Sequence, residues 1–252
     1  MDWKWWENVK LRLWQTSRID GELCFDPKVL ERFIEAPFDI LPNFQPPAGS
    51  TLIRGRGKDH PRYGRFIYAF AYHYRPARIV ELGSYAGGTS IGWGAAIRDN
   101  GLGELTCIDN DTYCQGTYPE VTRENLRSVG LSDQQFELRC GDSKQLIPAV
   151  SQELARQVDI YLVDADHTYE GALADMQNGL PMLRDGGFML VHDVDRSRKM
   201  DEETSEHPHP VYEAFQEFVG RQGYSWCILR FIRKHLGIIR IDRAANKLAA
   251  VA

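Results

Sequence analysis

Arg78-Ile-Val-Glu81-Leu-Gly83-Ser84-Tyr85-Ala-Gly87-Gly88-Thr-Ser90 is the stretch on which the fold turns. A short apolar strand runs into a glycine-bearing turn, and a helix-like pattern follows from about residue 87 to 98. The turn therefore lies at the carboxyl end of a strand, where open α/β sheets bind their ligands. Gly83 is expected to let a ligand approach the backbone, and Gly87 and Gly88 to let the chain pass into the helix. Free N–H groups at the helix start favour a carboxylate or phosphate. A dinucleotide fingerprint would need glycine where Tyr85 stands, and a P-loop would end in Gly-Lys-Ser/Thr, so neither is present. A purely structural tight turn is the other reading of the same residues.

Outward from this stretch the pattern repeats. Further strands are expected at Glu104 to Asp109, Gln135 to Cys140, Asp159 to Val163, Phe188 to His192, Tyr224 to Phe231 and Gly237 to Ile241. Helices are expected near 118 to 129, 143 to 155, 169 to 184 and 208 to 221, with one more from Pro61 to Pro76 ahead of the sheet. Strands joined by helical crossovers make a parallel, doubly wound sheet. The last two strands are only about five residues apart, too few for a crossover, and should form an antiparallel edge hairpin. The predicted fold is α/β, with a mostly parallel seven-stranded sheet.

The chain has 252 residues, 43% of them hydrophobic and 26% charged, enough for a large core and too few charges for disorder. With 30 Lys and Arg against 35 Asp and Glu, the net charge of -5 attracts neither nucleic acid nor an acidic membrane. Five cysteines with no CxxC pair signal no disulfide framework or zinc knuckle, and fit a cytoplasmic setting. The N-terminus lacks the apolar run of a signal peptide, and no stretch approaches the ~20 apolar residues of a membrane span.

The expected domain occupies residues 61–242, preceded by an arm over 1–60 and followed by an alanine-rich tail over 243–252. The arm is expected to carry helix, and it holds four of the six tryptophans, Trp3, Trp5, Trp6 and Trp14. The turn-rich run Pro42 to Gly49 and the basic run Arg54 to Lys58 follow. Aromatics at this density want burial, whether against the domain, in a homo-oligomer contact or as a lid.

Two more strand ends carry polar turns. Cys107-Ile-Asp109-Asn-Asp111 puts an acid where a ribose diol would present its hydroxyls, and Arg139-Cys-Gly141-Asp142-Ser143 adds a third turn to the same rim. The arrangement resembles the class I S-adenosylmethionine-dependent methyltransferases, whose Rossmann-like fold it implies, over about Tyr63 to Asp242. Glu81-Leu-Gly83-Ser84-Tyr85-Ala-Gly87 is similar to the turn of the catechol-type O-methyltransferases, and Gly141-x-Ser143 with Ile147-Pro148 to their adenine-side turn. The resemblance assigns Glu81, Gly83, Ser84, Tyr85, Gly87 and Ser90 to the cofactor turn and Asp109 to the ribose. Asp142 and Ser143 flank the adenine, and Asp164 joins the cofactor set.

The next two strand ends read Asp164-Ala-Asp166-His167-Thr-Tyr169 and His192-Asp193-Val-Asp195. In a parallel sheet they converge, so Asp164, His192 and Asp193 could hold one small cation. Capping and turn formation are the bland roles of the two acids, and a buried, satisfied histidine is that of His192. The pattern resembles the metal site of the catechol-type and macrolide-sugar O-methyltransferases, with His192 where an oxygen ligand usually stands. A nitrogen there disfavours a pure Mg²⁺ site and makes Mn²⁺ or another transition ion more tolerable. By the same resemblance His167, three residues after Asp164, takes the place of the general base. Asp195 to Pro210 reads as a substrate cover or a solvated charged loop, and its His207 and His209 are left out of the site.

The resemblance implies methyl transfer to a hydroxyl of a small molecule such as a sugar, phenol or polyketide. The alternatives are a metal-independent N- or O-methyltransferase, and a non-catalytic S-adenosylmethionine-binding protein.

Overall fold

The computed structural model of the chain describes residues 19–35, 60–196, 204–230 and 235–243. The four arm tryptophans, Pro42 to Gly49, Arg54 to Lys58, the middle of the 195–210 segment and the tail beyond Arg243 lie outside the described residues. The strands are β1 (Ile19–Gly21), β2 (Arg78–Leu82), β3 (Glu104–Asp109), β4 (Phe136–Cys140), β5 (Val158–Val163), β6 (Leu183–His192), β7 (Ser225–Arg230) and β8 (His235–Arg240). The helices are α1 (Lys28–Glu35), α2 (His60–Tyr74), α3 (Ser90–Asn100), α4 (Tyr118–Ser128), α5 (Ser143–Glu153), α6 (Tyr169–Gly179) and α7 (Pro210–Gln222).

They build one sheet in the order β1-β7-β8-β6-β5-β2-β3-β4. Strands β4 to β6 through β2 pair in parallel, while β8 pairs antiparallel to β6 and to β7. The seven strands expected from the sequence are all present. An eighth, β1, comes from the arm and pairs antiparallel with β7, Asp20 opposite Ile228. Strand β6 starts at Leu183, five residues ahead of the expected Phe188, and takes over the end of the expected 169–184 helix. The helix gives way at Gly179 because Pro181 brings no N–H to continue it, and a single 3₁₀ turn, Leu180–Met182, leads into the strand.

Alternation along the strands explains the layers. Ile79, Ile160, Leu162, Phe188 and Leu190 pack on one face with Phe66, Phe70 and Trp93 of α2 and α3. Val80, Leu82, Tyr161, Val163, Met189 and Val191 pack on the other with Met176 of α6 and Phe215 of α7. Both faces are covered, as a parallel sheet requires. No described helix is long and apolar enough to cross a membrane.

Strand order reverses at β2: the chain leaves it outward through β3 and β4, then returns to β5 on its other side. The crevice of such a sheet opens at the carboxyl ends of those two neighbours.

Candidate active site

At that crevice the turn after β2 is shaped by left-handed backbone at Gly83 (φ +83°), Tyr85 (φ +51°) and Gly87 (φ +82°). The Gly83 N–H donates to the Ile108 carbonyl at 2.8 Å, and the Tyr85 N–H to Asp109 Oδ2 at 2.7 Å. The other Asp109 oxygen accepts the Asp111 N–H at 2.7 Å. Burial raises the Asp109 pKa, while these two donors lower it. Asp109 thus buttresses the neighbouring turn, with both oxygens at the end of β3. Three residues that the sequence reading missed close the turn from α4. Thr122 Oγ1 donates to the Tyr85 carbonyl at 3.0 Å, Asn125 Nδ2 to the Ala86 carbonyl at 2.7 Å, and Ser84 Oγ to Tyr118 Oη at 3.2 Å. Their signal was Thr122 and Asn125 three apart, two polar residues on a helix face that is fully buried.

The structure separates the expected cofactor residues by depth. Glu81 and Ser90 are fully buried below the turn and bonded to each other, with the Ser90 hydroxyl donating to Glu81 Oε2. Asp142 caps α5, accepting the Lys144 N–H at 2.9 Å, and Ser143 is buried at the first turn of that helix. Gly83 was expected to leave room for a ligand. What comes close to it is the next turn of the protein: a Cβ there would stand 1.8 Å from the Asp164 carbonyl oxygen. Its hydrogen atom lets the β2 turn and the β5 turn pack together.

Asp164, His167, His192 and Asp193 converge, with one ligand-type atom from each inside a mutual 4.8 Å. His192 Nδ1 is 2.9 Å from Asp164 Oδ1 and 3.4 Å from Asp193 Oδ2. His167 Nε2 is 3.2 Å from Asp164 Oδ1 and 3.8 Å from Asp193 Oδ2. The resemblance sets His167 apart as a base; the β5 turn folds it back onto the acids. Asp193 sits at φ +55°, which turns its carboxylate inward at the end of β6. The His192 ring is buried against Tyr63 of α2, centroids 4.9 Å apart, whereas His167 is a quarter exposed. Asp166 is committed elsewhere: it accepts from the Thr168 N–H and hydroxyl and pairs with Lys144 at 3.3 Å. His207 stacks on Tyr169, 3.9 Å between centroids, and meets Glu213 at 2.8 Å.

A family described as a methyltransferase domain matches residues 80–194, from β2 to the residue after Asp193. A catechol O-methyltransferase from Niastella koreensis is 27% identical over 185 residues, covering 73% of this chain and 79% of that protein. Cofactor-bound Rv0187 from MTB shares the fold with a TM-score of 0.59 and 18% identity, over 93% of this chain and 96% of that one. The O-methyltransferase TomG from Streptomyces achromogenes, solved with SAM, does so with a TM-score of 0.57 and 16% identity, over 96% and 99%. The family match spans every strand end of the crevice, and together these likenesses support a class I S-adenosylmethionine-dependent O-methyltransferase.

Proposed function

We propose that the protein transfers the methyl group of S-adenosylmethionine to a hydroxyl of a small molecule, a sugar, phenol or polyketide-type compound, with a divalent cation at the acceptor. The observation that carries this reading is that half of the four-residue cluster stands on the β5 turn, whose Asp164 carbonyl touches Gly83, so that the glycine turn and the cluster are neighbours. The donor set fits a cation, since two carboxylates and two imidazoles face one point. The glycine turn beside a strand-end acid fits S-adenosylmethionine.

In this reading Asp109 holds the ribose hydroxyls, Asp142 and Ser143 flank the adenine, and Gly83, Ser84, Tyr85 and Gly87 border the methionine moiety. Glu81 and Ser90 hold that turn from below. Asp164, His192 and Asp193 hold the cation, which when bound would lower the pKa of an acceptor hydroxyl. The methyl group arrives already activated, so the protein's work is alignment of acceptor with donor and disposal of one proton. A cytoplasmic setting suits five cysteines that are all free thiols.

The test is mass-spectrometric detection of methylated product from a panel of glycosides, catechols and other phenols, with and without chelator. We expect product that disappears with chelator and returns with Mn²⁺ or Mg²⁺. Full turnover in chelator would favour the metal-independent N- or O-methyltransferase. Cofactor binding without turnover of any acceptor would leave a non-catalytic binding protein.

A further inference from the structure

We infer that His167 is a fourth ligand of the cation and not the general base, which makes the centre a two-imidazole, two-carboxylate site for a transition ion such as Mn²⁺, Fe²⁺ or Co²⁺ in preference to Mg²⁺. This rests on the proposed cation site and names the chemistry of its occupant.

The distances carry it. A cation held at about 2.1 Å places neighbouring ligand atoms about 3.0 Å apart in octahedral geometry and about 3.4 Å apart in tetrahedral geometry. The four Asp–His separations are 2.9, 3.2, 3.4 and 3.8 Å, which bracket those edges. Simple ion pairs would need only one carboxylate for each ring. Here His192 Nδ1 and His167 Nε2 each face both Asp164 and Asp193 within 4 Å, so nitrogens and oxygens alternate around one common centre. As a base through Nε2, His167 would need that nitrogen on the acceptor, and here both carboxylates occupy it.

The two histidines also differ in a way a working centre needs. His192 is locked against Tyr63 inside the protein, while His167 is a quarter exposed and faces the solvent side of the cluster. Imidazole nitrogens suit borderline transition ions, whereas Mg²⁺ prefers an all-oxygen octahedron that keeps several waters. Two nitrogens among four protein ligands therefore move the preference away from Mg²⁺.

The experiment is pulsed electron paramagnetic resonance of the full chain loaded with Mn²⁺, with and without ¹⁵N-histidine labelling, beside Mn²⁺ titrations. Wild type is expected to show two bound imidazole nitrogens and to hold Mn²⁺ against a tenfold excess of Mg²⁺. His167→Ala and His167→Gln, each checked for a native circular-dichroism spectrum, should show one nitrogen and bind Mn²⁺ at least ~10-fold more weakly. Unchanged nitrogen couplings and affinity in both variants, with turnover lost, would return His167 to the role of base and overturn the inference. Failure of wild type to bind Mn²⁺ at all would overturn the cation site itself, and the two failures are separable because only the second is seen in the unsubstituted protein.

Discussion

A carboxyl group with no access to water has to find donors or keep its proton, and Glu81 is such a group. It is fully buried, with the Ser90 hydroxyl and the Cys107 thiol, 3.8 Å away, directed at Oε2. Its Oε1 has no hydrogen-bond partner among the described residues. Burial, helped by the negative charge of Asp164 and Asp109, pushes its pKa up to about 8, while the Ser90 and Cys107 hydrogen bonds pull the other way. An acid whose folded pKa is raised stabilises the fold fully below its unfolded value, near 4.5, and loses that contribution as pH climbs through about 8. Glu81→Gln keeps the shape of the protonated acid and has no proton to lose. Its stability relative to wild type should therefore grow from pH 4.5 to 8, by up to a few kcal/mol, and then level off. Urea unfolding across that range checks it, and a flat difference would mean Glu81 is ionised in the fold. The depth of Glu81 was legible in principle. It shares the α3 face of β2 with Ile79, beneath Ser90, but the motif that marks the glycine turn says nothing about which residues line it and which support it.

Between elements, the contact of Gly83 with Asp164 fastens the two turns to which the proposed cofactor and cation sites belong. The left-handed φ of Gly83 and the 1.8 Å approach of a Cβ to a backbone oxygen leave no side chain room to adapt. Gly83→Ala must push the β5 turn aside, so S-adenosylhomocysteine and Mn²⁺ should both bind ~10-fold or more weakly, for a strain of about 1–3 kcal/mol. Gly101→Ala is the control, with a similar φ of +66° but nothing within 4 Å of the new atom, and it should leave both affinities alone. Calorimetry with each ligand decides it. Loss of one affinity without the other would show that the two turns move independently. The sequence located the turns through their strand-end acids and glycines, because each interrupts an apolar run. It could not show that Gly83 faces a neighbouring turn in place of a ligand, since that contact joins residues 81 positions apart in the chain.

For the whole molecule, the alternation of strand and helix sufficed for the parallel sheet and its closing hairpin, but not for the strand that caps it. Ile19-Asp20-Gly21 is too short to show a period, and its pairing partner β7 lies about 200 residues away. Aromatic packing makes this segment part of the core. Phe25 is almost fully buried, edge-on to Phe66 at 6.0 Å and to Phe70 at 5.8 Å, and Phe70 in turn meets Phe188 of β6 at 5.1 Å. Val29 and Leu30 of α1 are fully buried beside them, and Cys24 packs its sulfur 3.6 Å from that of Cys227 in β7. The path from Phe25 thus runs through α2 to the strand that ends in His192 and Asp193. Phe25→Ala removes a ring from this stack and should cost about 3–5 kcal/mol. If residues 19–35 fold with the sheet as one unit, urea should unfold the variant in a single transition at a lower midpoint, with affinity for S-adenosylhomocysteine kept within about twofold of wild type. The outcome against it is an early transition confined to Trp fluorescence or to the α1 helical signal, with the main midpoint unmoved. That would make β1 and α1 a strap that releases without opening the domain, and would place the methyltransferase core wholly within the later strands.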